Sequence, residues 1–107
     1  MELKDLTPMV KIEIVIPARH APEVTDLIRS LGARGYTAVS GVAGFGHHGE
    51  RGGRMLFNDH DALTMLITVV PEDRADAIAS AMHPVLTRMS GVMFVSETAV
   101  SRAEYFV

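Results

Sequence analysis

The stretch VKIEIVI, residues 10–16, alternates apolar and polar side chains and stops at Pro17. Successive side chains of a strand point to opposite faces of a sheet, so this pattern predicts a first strand with one buried face. After Pro22, apolar residues recur at i, i+3, i+4 and i+7, which predicts an amphipathic helix that ends near Gly32. Those apolar residues are Val24, Leu27, Ile28 and Leu31. Residues 36–42 are rich in strand-forming side chains and predict the second strand.

The third strand, residues 62–70, is apolar at both parities. Leu63, Met65, Ile67 and Val69 lie on one side, and Leu66 and Val70 lie on the other. We expect Leu66 and Val70 on the face that the helices leave open, where a symmetric homo-oligomer supplies matching apolar surface. The alternative is that these two side chains are simply half-exposed.

A second helix is predicted from Pro71, because a proline at an early position and acids in the first turn, here Glu72 and Asp73, favour a helix start. The predicted core stripe is Ile78, Met82, Val85 and Met89. Pro84 interrupts this stripe and is expected to kink or end the helix, with an irregular turn before Gly91. A fourth strand is predicted at residues 92–95, continued by the alternating residues 100–105.

The resulting order is βαββαβ, which predicts an α+β fold of the ferredoxin-like type. A chain of 107 residues fits one such domain. Its helices cover one face of the sheet only, so we expect association with copies of the same chain.

Composition excludes several classes of function. Ten basic and thirteen acidic residues give a net charge of -3, with no block of like charge, so nucleic acid is not an expected partner. The chain has no cysteine, which excludes disulfides, thiolate metal sites and thiol nucleophiles. Its charged start leads into no apolar run of signal-peptide or membrane-spanning length. We therefore expect a soluble cytoplasmic protein.

The loop after the second strand carries the strongest functional signal. Six of the nine glycines lie between Gly41 and Gly53. Glycines let backbone N–H groups converge into a concave nest that binds phosphate or carboxylate oxygens. A loop of this length, residues 46–60, is usually functional or disordered. Neither the dinucleotide fingerprint nor the P-loop pattern is present, so an ordinary hairpin loop stays an alternative.

Charged and titratable side chains accompany these glycines. Arg51 and Arg54 are candidate partners for a small anion, although simple solvation explains them too. Three histidines, His47, His48 and His60, are conceivable metal ligands, but adjacent histidines on a loop impose no defined coordination geometry. We therefore predict no metal site and favour His47 as a donor to phosphate or carboxylate.

Three segments together resemble the PII signalling proteins. These are residues 24–39 running on into Gly44-Phe45-Gly46, then residues 69–73 (VVPED) and residues 90–95 (SGVMFV). The corresponding PII segment is also helix, glycine, strand and then a G-F-G that opens a long ligand-responsive loop. The resemblance covers nearly the whole chain, with residues 1–8 as an N-terminal extension and 9–107 as the PII-like domain.

The resemblance implies a homotrimer that binds adenine nucleotides in the clefts between subunits. Gly44, Phe45, Gly46 and His47 would border the phosphates, and Thr37 would lie near the base. Gly91 would close the cleft from the neighbouring subunit. The arginines that end the PII sheet would be reduced here to Arg102, which is one position out of register. The long loop would contact a protein or transporter target.

Departures from the PII pattern modify this expectation. Leu63 replaces a triphosphate-binding lysine on the third strand, and Val92 replaces the lysine before the fourth. Fewer cationic partners for phosphate predict a preference for ADP or AMP over ATP. No tyrosine occurs between Gly44 and His60, so the modification site of the classical loop is missing. These features are similar to the PII-like branch associated with carboxysomes and bicarbonate transport, in which Arg51 or Arg54 would contact bicarbonate.

No catalytic constellation is visible, and we expect a regulatory protein rather than an enzyme. The alternative is a trimeric metal-binding protein that resembles the CutA family and uses the loop histidines. A weak phosphatase acting through Arg19 or Arg54 is a further, poorer option.

Overall fold

A computed structural model of the chain describes residues 3–46, 49–51 and 62–107. In this part of the chain six strands and two α-helices follow one another, with short 3₁₀ turns at Ala18–His20 and Ala103–Tyr105. In chain order they are β1 (Thr7–Pro17), α1 (Ala21–Ser30), β2 (Thr37–Val42), β3 (Gly44–Gly46), β4 (Gly49–Arg51), β5 (Leu63–Val70), α2 (Glu72–Met89) and β6 (Val92–Val100).

Four strands form one antiparallel sheet in the order β2-β5-β1-β6. With the two helices this is the predicted ferredoxin-like βαββαβ arrangement. The short strands β3 and β4 pair with each other in a separate two-stranded ribbon that sequence reasoning did not predict. β1 lies in the middle of the sheet, and its residues Thr7 and Pro8 pair with the last residues of β6.

The core lies between the sheet and the helices. Ile12, Ile14 and Ile16 of β1 are fully buried, as the alternation of residues 10–16 predicts. α1 adds Val24 and Ile28, while α2 adds Ala75, Ile78, Met82, Leu86 and Met89. Burying these side chains on one face of the sheet is the main favourable contribution to the fold of the protomer.

The prediction about Leu66 and Val70 is wrong. Both are in the core, with exposed fractions of 1% and 0%, and Leu66 lies opposite Ile14 of β1. The face of β5 that the helices leave open instead carries Leu63, Met65, Ile67 and Val69. The core face of β5 was hard to predict because it also carries two polar residues, Thr64 and Thr68, which are buried there. The Thr68 hydroxyl donates a hydrogen bond to the Gly35 carbonyl oxygen over 2.7 Å, which compensates for its burial.

Pro84 does not end the helix, which was one of its two predicted effects, because α2 continues through this residue to Met89. Pro84 has no N–H group to donate to the carbonyl oxygen of Ser80, four residues earlier. Both residues lie on the exposed side of the helix. Solvent can satisfy a carbonyl group there, so the helix continues. The core stripe contains Leu86 in the place predicted for Val85, which is only half-buried.

The fourth strand ends earlier than predicted. β6 runs without a break to Val100, but the alternating residues after it do not extend it. Arg102 has φ 56° and ψ 58°, a left-handed conformation that turns the chain into the Ala103–Tyr105 turn. An extended strand cannot contain a residue of this conformation.

The turn between α2 and β6 is tightly packed. Ser90 adopts φ 62°, and the N–H groups of Ser90 and Gly91 both donate to the Leu86 carbonyl oxygen. This is the usual left-handed end of a helix. A Cβ atom at Gly91 would lie 2.6 Å from Leu86 Cδ2, 2.8 Å from Ile16 Cγ2 and 3.2 Å from the Val15 carbonyl oxygen. Packing alone therefore requires glycine at this position.

We expect Gly91→Ala to lower the free energy of unfolding by about 1–3 kcal/mol, because the methyl group overpacks the core. Gly35→Ala is the matched control, since a Cβ there meets no atom within 4 Å and Gly35 does not have a positive φ. The control should change stability by less than about 0.5 kcal/mol. Urea unfolding at one fixed protein concentration measures both. Equal stability of the two variants would contradict the packing role of Gly91.

Candidate functional site

The glycine-rich loop leaves the sheet at Gly41. This residue has φ 71° and forms a bulge between Ser40 and Val42, which shifts the register of β2 against β5. Bulges of this kind bend a strand and are frequent beside binding sites. The chain then forms the β3–β4 ribbon, in which Gly44 pairs with Arg51.

Gly44 is open to approach from outside. It is exposed, and a Cβ atom built on it would meet nothing within 4 Å. A glycine with no packing or positive-φ requirement leaves the backbone accessible to an anion. The glycine at this position is thus not required by the protomer itself, in contrast to Gly91.

Thr37 lies at the opposite end of β2 from the glycine loop. It is exposed and pairs with Ile67, whereas Val42 pairs with Leu63 at the loop end. Seven positions of nearly extended chain separate Thr37 from Gly44, roughly 20 Å. One ligand that contacts both residues must therefore run along the edge of the sheet.

Gly91 lies on the other edge of the sheet. It precedes β6, and β6 and β2 are the two edge strands, separated by β5 and β1. Val92 pairs with Val15, so Gly91 is at the same end of the sheet as Val42 and Leu63. Three strand spacings lie between the edges, about 14 Å. Within one protomer, Gly91 and the end of β2 from which the glycine loop starts are therefore on opposite edges of the sheet.

Arg102 is held in an unusual conformation. Its guanidinium lies 5.6 Å from the centroid of the Tyr105 ring, and its Nη1 donates to the Tyr105 hydroxyl over 3.1 Å. The backbone of Arg102 has a positive φ, which is costly for a residue with a side chain. Such strain is typical of functional positions. Arg102 follows the end of β6 that is remote from Gly91.

Two further arginines attach the segment after β6 to the turn that precedes Thr37. Arg74 Nη1 donates to the carbonyl oxygens of Gly32 and Phe106, over 3.4 and 3.3 Å. Arg34 Nε donates to the Val107 backbone oxygen over 2.8 Å. Beside this contact is a cleft of about 220 Å³, lined by Ile28, Arg29, Ala33, Arg34, Gly35 and Tyr36.

Sequence reasoning missed this connection, because no sequence pattern links Arg34 or Arg74 to the segment after β6. Gly32, with φ 104°, is a turn glycine as predicted, but nothing in the sequence indicates that Arg74 packs over it.

Several predicted site residues lie outside the described residues. These are His47 and Arg54, together with His48 and His60 of the metal-binding alternative. Among the residues that the structure does describe, no group of three or more histidine, aspartate or glutamate side chains is placed to hold a metal ion. Within the same ranges, no helix has the length and apolar character needed to span a membrane.

Comparisons with known proteins agree with the fold. Residues 9–105 match the family described as nitrogen regulatory protein P-II. The chain is similar to CPII, a nitrogen regulatory PII-like protein from Thiomonas intermedia K12, in a structure bound to ADP, AMP and bicarbonate. Identity is 38%, the match covers 94% of this chain and 95% of CPII, and the TM-score is 0.87.

A second CPII structure, bound to ADP and bicarbonate, matches with 36% identity, a TM-score of 0.85, and coverage of 95% of this chain and 97% of CPII. CutA1 from Oryza sativa matches with 13% identity and a TM-score of 0.66, over 96% of this chain and 91% of CutA1, a likeness that shows the fold alone. No curated protein matches the chain.

We expect Arg102→Gly to leave the protomer as stable as the unmodified chain, or more stable by up to about 1 kcal/mol. Glycine relieves a left-handed backbone that costs about 1–2 kcal/mol, whereas an exposed cation–π contact contributes about 0.5–1 kcal/mol. Ser90→Gly, at the other left-handed position after a regular element, is the control and should also stabilise. Thermal unfolding measures both. If Arg102→Gly lowered the free energy of unfolding by more than about 1 kcal/mol, the role of Arg102 would be to stabilise the protomer.

Proposed function

The chain belongs to the family of nitrogen regulatory protein P-II, and from this premise we propose that it is a non-enzymatic sensor that binds ADP or AMP between subunits of a homotrimer. Bicarbonate is the proposed second ligand, and a target protein is the proposed partner of the loop. One observation carries the proposal: 38% identity across nearly the whole length of a PII-like protein whose structure holds ADP, AMP and bicarbonate.

The accessible backbone at the start of the loop supports a phosphate site. Gly44 is exposed and has free space where a side chain would be. Convergent backbone N–H groups of glycine-rich loops favour phosphate oxygens. We propose that Gly44, Phe45, Gly46 and His47 border the phosphates and that Thr37 lies by the base.

The positions of Gly44 and Gly91 support a cleft between subunits. Gly44 follows β2 and Gly91 precedes β6, and these two strands form the opposite edges of one sheet, about 14 Å apart at the usual strand spacing. In a ring of three copies, the β2 edge of one protomer can meet the β6 edge of the next, so residues from two copies complete one site. Arg102 is the proposed cationic contribution to this cleft.

The charge of the site supports ADP or AMP over ATP. Leu63 pairs with Val42 and is therefore close to the start of the loop, and Val92 follows Gly91 on the opposite edge. Neither side chain can donate a charge-assisted hydrogen bond to a third phosphate. Each such bond contributes about 1.5–3 kcal/mol, which corresponds to roughly tenfold or more in affinity.

Arg51 supports bicarbonate as the second ligand. Its backbone pairs with Gly44 in the β3–β4 ribbon, so the anion candidate and the phosphate-binding segment are neighbours. We propose that bicarbonate bound at Arg51 or Arg54 changes the loop that a target protein contacts. A ligand can change the conformation of a loop only if it binds one conformation more tightly than another.

We expect calorimetry on the chain to detect binding of ADP and AMP, and binding of ATP at least about tenfold weaker. Gly44→Val should abolish ADP binding, because a branched side chain blocks access to the backbone. Ala43→Val is the matched control, with the same final side chain at the preceding exposed position, and should retain binding. Absence of heat with both ADP and AMP, with or without bicarbonate, would contradict the proposed function.

A substitution at Leu63 tests the basis of the nucleotide preference. Leu63→Lys places a cation at the start of β5 beside the loop and, at a protein concentration at which the variant is assembled, should raise ATP affinity about tenfold or more, with a smaller effect on AMP. Leu63→Met, of similar volume and no charge, is the control and should change neither affinity. An unchanged ATP to AMP ratio in Leu63→Lys would show that this position does not decide the preference.

A further inference from the structure

A lysine and a glutamate lie in the middle of an apolar surface of the sheet. We call the surface opposite the helices the open face. Its apolar side chains include Val15, Val39, Leu63, Met65, Ile67, Val69, Val92 and Phe94. Lys11 and Glu13 belong to the central strand β1 and point to this same face, because they alternate with the buried Ile12 and Ile14.

No other charged residue of the four sheet strands faces this way in the part of the chain that is described. Lys11 is opposite Val69 and Ser96, and Glu13 is opposite Ile67 and Phe94. The two charges form an ion pair, with Lys11 Nζ 3.7 Å from Glu13 Oε1. Their side chains retain exposed fractions of only 39% and 27% in the isolated protomer, because neighbouring side chains surround them.

The open face needs cover, since Phe94, Val92 and Val39 are 58%, 51% and 41% exposed. Contiguous apolar surface of this kind on a soluble chain marks a contact region. Covering it also removes Lys11 and Glu13 from water. A buried pair of opposite charges is tolerated, whereas one buried charge without its partner is strongly unfavourable.

A second copy of the chain fits this face better than an unrelated partner. The pair carries one positive and one negative charge, so the centre of the face is neutral and self-complementary. A symmetry-related copy can place its own Lys11 near Glu13 of its neighbour while the surrounding apolar side chains pack together. If the two copies packed in a shifted register, these charges would lie against apolar side chains such as Met65 or Phe94 instead.

We propose that the Lys11–Glu13 pair fixes the register in which copies of this chain pack through the open face. The apolar side chains supply the attraction, and the pair penalises every arrangement that leaves a charge against an apolar neighbour. This inference rests on the homotrimer of the proposed function and adds the residues that select one packing.

Native mass spectrometry and sedimentation equilibrium test the proposal on the full chain. Glu13→Gln and Lys11→Met each leave one charge without its partner in the interface. Each should raise the protein concentration at which half of the chains are assembled at least about tenfold. The double variant, Lys11→Met with Glu13→Leu, removes both charges. It should assemble at least as tightly as the unmodified chain but into several oligomeric species, because attraction persists and the register is lost.

Glu23→Gln is the matched control. Glu23 forms an ion pair with Arg88 of α2, away from the open face, so its loss should leave assembly unchanged. Circular dichroism of each single variant verifies that the protomer is folded. If either single variant is unfolded, a double variant that folds and gives only trimers still overturns the proposal.

Two outcomes separate this inference from the proposed function. Single variants that assemble like the unmodified chain, or a double variant that forms trimers only, would overturn the register role and leave the trimer intact. An unmodified chain that stays monomeric at every concentration would overturn the trimer, and the register role with it.

Discussion

The structure depends on the difference between the two faces of its central strand. Ile12, Ile14 and Ile16 bury one face of β1 under the helices, while the opposite face carries Val15 together with Lys11 and Glu13. Two helices are too few to cover both faces of a four-stranded sheet. The uncovered face is apolar along β5 and at Val92 and Phe94 of β6, and this surplus of apolar surface favours association with further copies. The proposed ligand clefts between edges exist only if that association occurs.

Residues with a left-handed backbone conformation lie at or shortly before the candidate site residues. Gly41 bends the chain out of β2 ahead of Gly44, Ser90 ends α2 ahead of Gly91, and Arg102 ends the extended chain after β6. The reasons differ in each case. Gly91 is required by packing against Leu86 and Ile16, whereas Gly44 has open space around it. A glycine that the fold does not need is the better evidence for a ligand, because close approach of a phosphate explains it.

Most of the fold could be predicted from periodicity, because β1, α1 and the start of α2 have unambiguous patterns. The two faces of β5 could not be distinguished, since both are apolar and only the pairing of Leu66 with Ile14 decides between them. Pro84 is a misleading signal, because its exposed position lets the helix continue. Only the resemblance to PII signalling proteins predicts Thr37, Gly44 and Gly91 as site residues, and no pattern indicates how Arg34 and Arg74 hold the segment after β6. Contacts between residues remote in sequence leave no local signal.

The most direct test is a crystal structure of the chain grown with ADP. We expect three copies arranged around an axis with their open faces covered, and one ADP in each cleft between neighbouring sheet edges. The phosphates should lie on the backbone N–H groups of Gly44 to Gly46, with the turn at Gly91 of the adjacent copy across the cleft. ADP bound within a single protomer, or a trimer built through the helices, would contradict a site formed by the meeting of two copies.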